Sequence, residues 1–535
     1  MPQDVPAPLR QSRRVPNILC ALLAGILLGC AFPPVHWTWI VWIGLAPLLW
    51  AVAQSPRSRS AFLLGYVAGL TFFLITLHPL VSAHTWTGWA VQTPAQFAAR
   101  MSRQWWFLQV VWVAFALWGA LFWGLWAAAM YRVAGHNPWR TVVLAPSLWV
   151  VLTEWIRAKT TFGFTWAVLG NATADLAVIR QLAALGGVWL LSALVVLVNT
   201  GLALAIVQRR EGRGWRMPLA VVVGCVALAW GWGRWRIVHG LSEPQTIQAA
   251  ALQYTKASYA SSDFDEVNLD RMYASMIEEA VLRKCRLIVV PESVALGAVT
   301  LDGSLAPEKR PSWQIPRVAW DQHISELLTN HDTLLLMGLY TVEHSQAHNS
   351  LVGWTTDGVV GWYHKRRLVP YAEYRPVGWQ WAIHGIDQYV PGQGSQLISW
   401  ESHRIGGFIC QEVLIPWVAH QSVRDGAELL VSGGNDGVFA NPAAAESMAD
   451  VAQLRAVENG RYVIRAMKTG ISAIIDPLGH ERTRGDVNQL ALLEAKVSFQ
   501  QGLTPYVRFG DWVVGVSALV CLGLGLSARG RRRQP

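Results

Sequence analysis

Hydrophobic residues form long blocks through the first 238 residues, after which the pattern changes. From about 243 to 505, short apolar runs alternate with polar stretches that contain Pro and Gly, and a last apolar block precedes the C terminus. A membrane span needs about 20 apolar residues. The blocks therefore predict eight membrane helices, of which the fifth is interrupted by Pro146 and Glu154. They lie near 17–33, 37–53, 61–78, 105–131, 141–157, 178–207, 217–238 and 509–528.

The region from about 243 to 505 has the pattern of a globular domain. Short apolar runs bounded by turn residues predict strands, and longer stretches between them predict helices. Runs over 350–363 are spaced like a hairpin, and the alternation as a whole predicts an α/β sandwich. The predicted strands are Ile247–Gln253, Leu287–Val290, Thr333–Gly338, Ser350–Trp354, Gly406–Cys410, Leu429–Ser432 and Gly470–Ile475, and the helices are Asp265–Arg283, Pro316–Asn330, Pro416–Gly426 and Ala443–Asn459.

These patterns divide the chain into three parts. Residues 1–240 carry seven predicted spans, 241–507 form the globular domain, and 508–535 carry the eighth span and a basic tail. The first block resembles a signal peptide, since arginines precede it. No small-x-small cleavage site follows, however, and Phe32-Pro33-Pro34 leads directly into the next apolar block. We therefore expect the first helix to be retained.

The loops between the predicted spans differ in their content of arginine. Cytoplasmic loops are enriched in Lys and Arg, and five basic segments fall on one side only if the chain has eight spans. Both termini are therefore expected in the cytoplasm and the globular domain outside. The basic segments contain Arg10, Arg13, Arg14, Arg57, Arg59, Arg132, Arg140, Arg209, Arg210, Arg213, Arg216, Arg529, Arg531, Arg532 and Arg533.

Composition agrees with a membrane protein and limits the classes of partner. The chain is 53% hydrophobic and 15% charged, and it contains 30 tryptophans, residues that favour the bilayer interface. The net charge of +10 is explained by the basic loops, which also contact anionic lipid. The globular domain has no basic cluster, so nucleic-acid binding is not predicted.

The six cysteines show no C-x-x-C pair and no metal-ligand spacing. Cys20, Cys30, Cys225 and Cys521 lie in predicted spans, which leaves two cysteines in the globular domain. A disulfide between Cys285 and Cys410 is one interpretation of that pair. Burial of Cys285 as an apolar side chain is favoured, because it opens an apolar strand.

Three residues of the globular domain suit acyl transfer through a thioester. Cys410, in the sequence Gly406–Glu412, offers a thiol nucleophile; Glu292, at the end of a predicted buried strand, offers a base whose pKa desolvation would raise. Lys365 offers a charge for an oxyanion. Each has a plainer interpretation taken alone: an exposed turn glutamate, one charge of a solvated basic turn, and a buried apolar cysteine.

The order Glu, Lys, Cys resembles the nitrilase superfamily, which uses these residues on an αββα sandwich. Over nearly the whole chain the sequence more closely resembles the apolipoprotein N-acyltransferase family, whose members join an eight-span α-helical membrane bundle to an outward nitrilase-like domain. The matching segments are Pro291–Ser293, His348–Ser350, Tyr363–Pro370, Glu373-Tyr374, Ile409–Glu412, Asn435-Asp436, Leu454–Arg461, Thr469–Ala473 and Thr504–Tyr506 before Gly510–Trp512, with Asn171, Gln181, Gly186 and Asn199 in the membrane part.

The resemblance implies a two-step reaction in the bacterial inner membrane, with the catalytic domain in the periplasm. Cys410 takes an acyl chain from a phospholipid, with Glu292 as base, and passes it to the N-terminal amine of a diacylated apolipoprotein. Lys365 and the backbone amide of Gln411 stabilise the oxyanion, and Glu373 and Glu412 orient Lys365 or handle the amine proton. Asn435 borders the pocket. No metal or organic cofactor and no nucleic acid is implied, and a monomer is expected.

The chain departs from the family pattern beside the predicted pocket. Gln411 and Val438 stand where the family usually has aromatic residues, Lys468 replaces an asparagine, and Ala372 replaces a glycine. Lost ring surface predicts a looser pocket and a changed substrate preference, unless nearby tryptophans fill the space. The alternatives are a membrane-tethered nitrilase-type hydrolase, in which water resolves the thioester, an acyltransferase with another amine acceptor, and a silent scaffold or transporter.

The predicted topology can be tested by cysteine accessibility. A cysteine placed near Ser261 should react with an impermeant thiol reagent added to intact cells, because 241–507 is expected outside. A cysteine in the Arg210 loop should react only after the membrane is permeabilised. Labelling of the Arg210 loop without labelling near Ser261 would overturn the orientation.

Overall fold

The computed structural model describes residues 14–82, 94–134, 137–160, 165–240, 245–254, 266–292, 298–301, 314–370, 373–374, 389–439 and 441–531. As far as they are described, the residues form two compact units. The first comprises Met1–Ser82, Arg100–Val238 and Asp511–Pro535, and the second comprises Ala83–Ala99 and His239–Gly510. Helices build the first unit, whereas sheets and helices build the second.

The described α-helices follow the order of the apolar and amphipathic blocks. In chain order they are α1 (Arg14–Cys30), α2 (Ala46–Ala53), α3 (Ser58–Thr76), α4 (Pro94–Val133), α5 (Pro138–Leu148), α6 (Arg157–Lys159), α7 (Ala183–Arg210), α8 (Arg216–His239), α9 (Glu266–Leu282), α10 (Arg317–Leu328), α11 (Pro416–Arg424), α12 (Pro442–Asn459), α13 (Pro505–Phe509) and α14 (Trp512–Arg531).

Five helical segments of the described chain are long and apolar enough to cross a membrane: Ser58–Thr76, Trp105–Val133, Pro138–Lys159, Ile179–Arg210 and Arg216–His239. Shorter apolar helices occupy the other three predicted positions, at Pro16–Cys30, Thr38–Ala53 and Trp512–Ser527. Large apolar side chains on these helices stay exposed, as surfaces that face lipid do; Leu228 is 76% and Leu519 71% exposed. The chain is a membrane protein with a helical bundle, as predicted.

The interruption predicted in the fifth span is absorbed by a change of helix type. Pro146 lies inside α5, and a π-helical turn, Trp149–Ile156, follows before α6. The buried Glu154 accepts hydrogen bonds from the indole of Trp149, at 3.0 Å, and from the backbone of Leu169, at 2.9 Å. This carboxyl group thus accepts hydrogen bonds from groups of the bundle itself. Such bonding indicates a structural role for Glu154 rather than a role in a transport path.

The second unit contains two sheets. Its strands are β1 (Thr246–Gln253), β2 (Leu287–Val290), β3 (Ala298–Thr300), β4 (Gln314–Pro316), β5 (Leu334–Glu343), β6 (Gln346–Thr355), β7 (Gly358–His364), β8 (Ile398–Trp400), β9 (His403–Ile409), β10 (Leu429–Gly434), β11 (Val463–Met467), β12 (Ala473–Ile475), β13 (Glu481–Arg484) and β14 (Ala491–Ser498). The first sheet has the order β14-β1-β2-β5-β3-β4, and β6 pairs with β5 and β7; the second has the order β13-β12-β11-β10-β9-β8.

Apolar side chains fill two layers around the first sheet. Leu336, Leu351 and Tyr363 meet Val431 and Ile464 in a core between the two sheets. A second core joins the other face of the first sheet to α9 and α10, while α11 and α12 lie against the second sheet. The layers therefore run helix, sheet, sheet, helix, which confirms the predicted αββα sandwich.

Some local predictions were wrong at the strand ends. The predicted strand 470–475 is strand only over Ala473–Ile475, and β9 ends at Ile409, so Cys410 begins a 3₁₀ turn instead. Strands β3, β4, β8, β11, β13 and β14 were not predicted, whereas β6 and β7 form the hairpin expected over 350–363. Cys285 and Cys410 are both free and buried, so the disulfide interpretation fails and Cys285 is the apolar filler expected.

Candidate active site

The predicted catalytic residues follow strands whose carboxyl ends lie at one edge of the sandwich. Glu292 comes after β2, Lys365 after β7 and Cys410 after β9, while Asn435 and Lys468 come after β10 and β11. Strands β2 and β5 are parallel, as are β9, β10 and β11, and β7 runs with β5 because β6 is antiparallel to both. Polar groups at such an edge face the crevice in which α/β proteins bind ligands.

Two glycines allow the turns that carry Glu292 and Cys410 to approach neighbouring strands. A Cβ atom on Gly338 of β5 would lie 2.5 Å from the Cα of Glu292. A Cβ on Gly434 of β10 would lie 3.1 Å from the Cα of Cys410. The contact at Gly338 leaves no room for a side chain, so this position needs glycine if Glu292 is to keep its place. At Gly434 a side chain would require the Cys410 turn to move by a few tenths of an ångström.

Glu292 is a buried carboxyl group with defined partners. The side-chain amide of Asn349 donates a hydrogen bond of 2.5 Å to its Oε1. Burial raises the pKa of Glu292, and the charge of Lys365 opposes that rise. A carboxyl group with a raised pKa that sits in a cleft is suited to accept a proton near neutral pH.

Lys365 is 1% exposed, and its ammonium group lies between two carboxylates. The Nζ atom is 2.7 Å from Glu373 Oε1 and 4.0 Å from Glu292 Oε1. Burial alone lowers the pKa of Lys365, but the charges of Glu373 and Glu292 raise it more, so the net pKa is raised. The side chain therefore stays positively charged, as an oxyanion partner must.

Cys410 occupies a backbone conformation that is uncommon for a residue with a side chain. Its φ is 53°, in the left-handed region, where strain concentrates at functional sites. Burial, followed by the Glu292 charge, raises the pKa of the thiol to about 12, while Lys365 and the backbone amide of Asn435 lower it. The resting thiol is thus protonated and needs a base.

Glu412 connects the Cys410 turn to the segment that follows β7. Its carboxylate accepts hydrogen bonds of 2.8 Å from the backbone amides of Ile409, Arg366 and Arg367 and from the hydroxyl of Tyr363. These bonds fix the backbone that follows Lys365 and the backbone that precedes Cys410. Because these donors occupy its carboxylate, Glu412 positions the catalytic residues rather than reacting itself.

The structure brings together Glu292, Lys365 and Cys410, and it places Glu373 in direct contact with the lysine. Among the predicted supporting residues, Glu412 accepts hydrogen bonds from backbone amides and from Tyr363 rather than from the Lys365 ammonium. The backbone amide of Asn435 donates to the Cys410 thiol. Gln411 is partly exposed and follows the thiol in the 3₁₀ turn Cys410–Leu414.

A buried ion pair fixes the loop that follows β10. Asp436 begins a short 3₁₀ turn and is buried, and it forms a 2.5 Å ion pair with the buried Arg465. Arg465 in turn donates a 3.0 Å hydrogen bond to the carbonyl of Ile471. This pair anchors the loop after β10 to β11, close to the thiol.

Two polar residues of the site were not assigned a role from sequence. Asn349 donates to both Glu292 and Glu373, the latter at 2.9 Å. Lys468 is 8% exposed, and the carboxylate of Glu292 acts on its charge. For Asn349 the sequence offers one signal, since it lies in the segment His348–Ser350 that resembles the family. Lys468 departed from the family pattern, and only the fold shows that it lies beside the base.

Known proteins resemble both parts of this chain. The family model described as apolipoprotein N-acyltransferase N-terminal domain matches residues 24–201, and the one described as carbon-nitrogen hydrolase matches residues 248–501. An apolipoprotein N-acyltransferase of Gloeobacter violaceus is 28% identical over 98% of this chain and 96% of its own. One from Bordetella bronchiseptica is 29% identical over 98% of both chains.

The chain is similar to apolipoprotein N-acyltransferases over nearly its whole length. One family model matches most of the membrane part before residue 202, and the other matches nearly all of the globular domain. A solved nitrilase-superfamily amidase from Nesterenkonia, 17% identical, covers 52% of this chain and 99% of its own, with a TM-score of 0.39. The relatives that match nearly the whole chain support an acyltransferase activity.

Lys468 gives a stability prediction with a defined sign. Burial lowers its pKa to about 8, with Glu292 opposing, whereas an unfolded lysine has a pKa of about 10.4. Below about pH 8 the folded state carries the full cost of the buried ammonium, about 3 kcal/mol, and this cost disappears as the pH rises toward 10. Lys468→Met should therefore raise the unfolding temperature at pH 7 and have little effect at pH 10.

Thermal unfolding of the purified protein in detergent at both pH values measures this effect. Lys496→Met is the matched control, because Lys496 is exposed and its removal should change little at either pH. Equal stabilisation by Lys468→Met at pH 7 and pH 10 would contradict a buried charge as the cause.

Proposed function

We propose that this chain is an apolipoprotein N-acyltransferase that moves an acyl chain from a membrane phospholipid, through a thioester on Cys410, to the N-terminal amine of a diacylglyceryl-cysteine lipoprotein. The observation that carries this proposal is the buried contact of Lys365 with Glu292 and Glu373, at the strand edge that also holds the Cys410 thiol. The names of relatives that match the whole chain supply the substrate class.

The first half-reaction forms the acyl-enzyme. Glu292 accepts the proton of the Cys410 thiol, and the sulfur attacks the ester carbonyl carbon of the phospholipid. The tetrahedral intermediate collapses as the carbon–oxygen bond breaks, and the proton held by Glu292 passes to the departing alcohol of the lysophospholipid. The raised pKa of Glu292 supports this role, because the group must both take and return a proton.

Charge develops on the carbonyl oxygen in both half-reactions. The Lys365 ammonium is already in place to stabilise it, and the backbone amide of Gln411 is the second donor. This amide lies in the first turn of the 3₁₀ helix Cys410–Leu414, where backbone N–H groups have no partner within the helix. Donors that are fixed before the reaction need no reorganisation.

The second half-reaction transfers the acyl chain to nitrogen. The amine of the acceptor attacks the thioester carbon, and Glu292 accepts one of its protons. The carbon–sulfur bond breaks, the thiolate regains that proton, and an amide remains. Glu373 keeps the lysine oriented through both steps by its 2.7 Å contact. The order of events is ping-pong, since the first product leaves before the second substrate reacts.

The membrane location follows from the substrates and the helices. Both the donor and the acceptor carry lipid chains, and the described part of the bundle holds five segments of spanning length. The arginine-rich loops support cytoplasmic termini and with them a catalytic domain on the periplasmic side of the bacterial inner membrane. The hydrolase alternative shares the same three residues and differs only in the group that resolves the thioester.

Acylation of Cys410 is the decisive prediction. Purified protein incubated with phospholipid alone should carry a hydroxylamine-labile acyl adduct on Cys410, because no amine is present to discharge it. Cys410→Ala should lose the adduct and at least about 10³-fold in transfer rate. Intact mass and peptide mass spectrometry measure both. Cys285→Ala is the matched control and should keep the adduct; an adduct on Cys285 would contradict the assignment.

Discharge of the adduct distinguishes the transferase from the hydrolase. Addition of a diacylated lipopeptide should convert the adduct to an amide on the peptide, with little free fatty acid. Release of fatty acid at the same rate without the peptide would favour the hydrolase.

Gln411 predicts a changed donor preference. It replaces an aromatic residue of the family pattern and is partly exposed beside the thiol, so Gln411→Tyr should add ring surface to the pocket. We expect relative rates among phospholipid donors to change by about 1–3 kcal/mol in transition-state energy. A donor panel with one lipopeptide acceptor measures this, and identical rates for both proteins across the panel would contradict it.

A further inference from the structure

A second cluster of potential ligands lies on strands β5, β6 and β7. Glu343, His348 and His364 each offer one ligand atom, and these atoms all lie within 4.8 Å of one another. The Nε2 atom of His364 is 2.9 Å from Glu343 Oε2. Both histidines are buried, whereas the Glu343 side chain is 21% exposed, so the cluster is open at the carboxylate.

This cluster is separate from the acyl-transfer site, although it uses the same strands. Successive strand residues point to opposite faces of a sheet. On β6, Leu351 enters the core between the sheets, and Val352 enters the core on the outer face. His348 therefore shares the outer face with Val352, and Asn349 shares the inner face with Leu351. His364 likewise alternates with Tyr363, which lies in the inner core.

The hydrogen bonds of the two imidazoles leave their Nε2 atoms directed at the cluster. His348 Nδ1 lies 2.8 Å from the carbonyl oxygen of Val390, which only accepts, so Nδ1 carries the hydrogen and Nε2 carries the lone pair. His364 Nδ1 lies 2.6 Å from Ser350 Oγ, which is itself 2.6 Å from Thr341 Oγ1. A histidine whose second nitrogen donates to a carbonyl or hydroxyl is oriented as metal ligands are.

We propose that Glu343, His348 and His364 bind a divalent transition-metal ion of the zinc class. Two imidazole nitrogens and one carboxylate oxygen form a ligand set that zinc uses, with a fourth position left for water. In a tetrahedral zinc site neighbouring ligand atoms are about 3.3 Å apart. The ligand atoms lie between 2.9 and 4.8 Å apart, so the longest separation must shorten by about 1.5 Å to reach the tetrahedral value.

Binding also requires a change in the histidine pair. The two rings are stacked, with centroids 4.1 Å apart and planes 17° apart, and parallel rings cannot both aim a lone pair at one ion. One ring must tilt, and His364 must place its remaining proton on Nδ1. Ser350 accepts from that proton once its own hydroxyl donates to Thr341, so the existing network accommodates the metal-bound tautomer.

The ion would join three adjacent strands on the face opposite the catalytic groups. Asn349 neighbours His348, and Lys365 neighbours His364, so a fixed outer face would also fix the strands that present them. We assign the ion a structural effect on β5–β7 and no step in acyl transfer. The inference does not depend on the proposed substrates.

Metal binding to the full-length protein tests the site. Protein purified in detergent without a histidine tag and stripped with a chelator is titrated with Co²⁺, followed by absorption in the visible region, and then with competing Zn²⁺. We expect one ion per chain with the absorption of a tetrahedral site, and a thermal stabilisation by Zn²⁺. His348→Gln and Glu343→Gln should each weaken binding at least tenfold and abolish the stabilisation.

Matched variants separate this site from other sources of binding. His331→Gln removes an exposed histidine and should leave binding unchanged, and Cys410→Ala should keep the tetrahedral spectrum. Glu343→Gln replaces the carboxylate with a neutral amide of the same size at the exposed side of the cluster, so it should fold. It therefore tests metal binding even if His348→Gln fails to fold. Wild-type protein that binds no Co²⁺, or a Glu343→Gln variant that binds as tightly as wild type, would overturn the proposal.

Discussion

Burial of the Lys365 ammonium beside a thiol is the constraint on which the catalytic domain depends. A buried charge costs several kcal/mol unless it is paired, and here Glu373 at 2.7 Å and Glu292 at 4.0 Å supply the pairing. Asn349 donates hydrogen bonds to both carboxylates, which offsets part of the repulsion between them. The sheet edge is therefore one connected network, and removal of Lys365 would leave the buried Glu373 without its 2.7 Å counter-charge.

The same network explains why the thiol can rest in its protonated form. Burial raises the pKa of Cys410 to about 12, so a free thiolate is rare in the resting enzyme. In the proposed reaction, proton transfer to Glu292 moves charge within the network without adding any, and Lys365 then stabilises the oxyanion that forms. Lys468 adds a second cation near Glu292, a feature by which this chain departs from the usual family pattern.

The membrane unit follows the same rule of local satisfaction in a setting without water. Asp511 accepts hydrogen bonds from the indoles of Trp155, at 2.9 Å, and Trp189, at 3.0 Å. Asn199 bonds the backbone of Val41 and Leu45, each at 2.8 Å. Polar side chains in the bundle thus join helices, while the exposed apolar faces suit a bilayer that also contains both proposed substrates.

The sequence by itself determined the membrane blocks and the αββα class, and it predicted the catalytic set, because hydrophobic period and motif order are local properties. It did not determine that Glu412 bonds backbone amides, that Asp436 pairs with Arg465, or that Cys410 has a positive φ. Nor could it bring Glu343 to His348 and His364. Those features depend on strand register and on which residues meet across the sheets, and only the tertiary structure decides which distant side chains share a face.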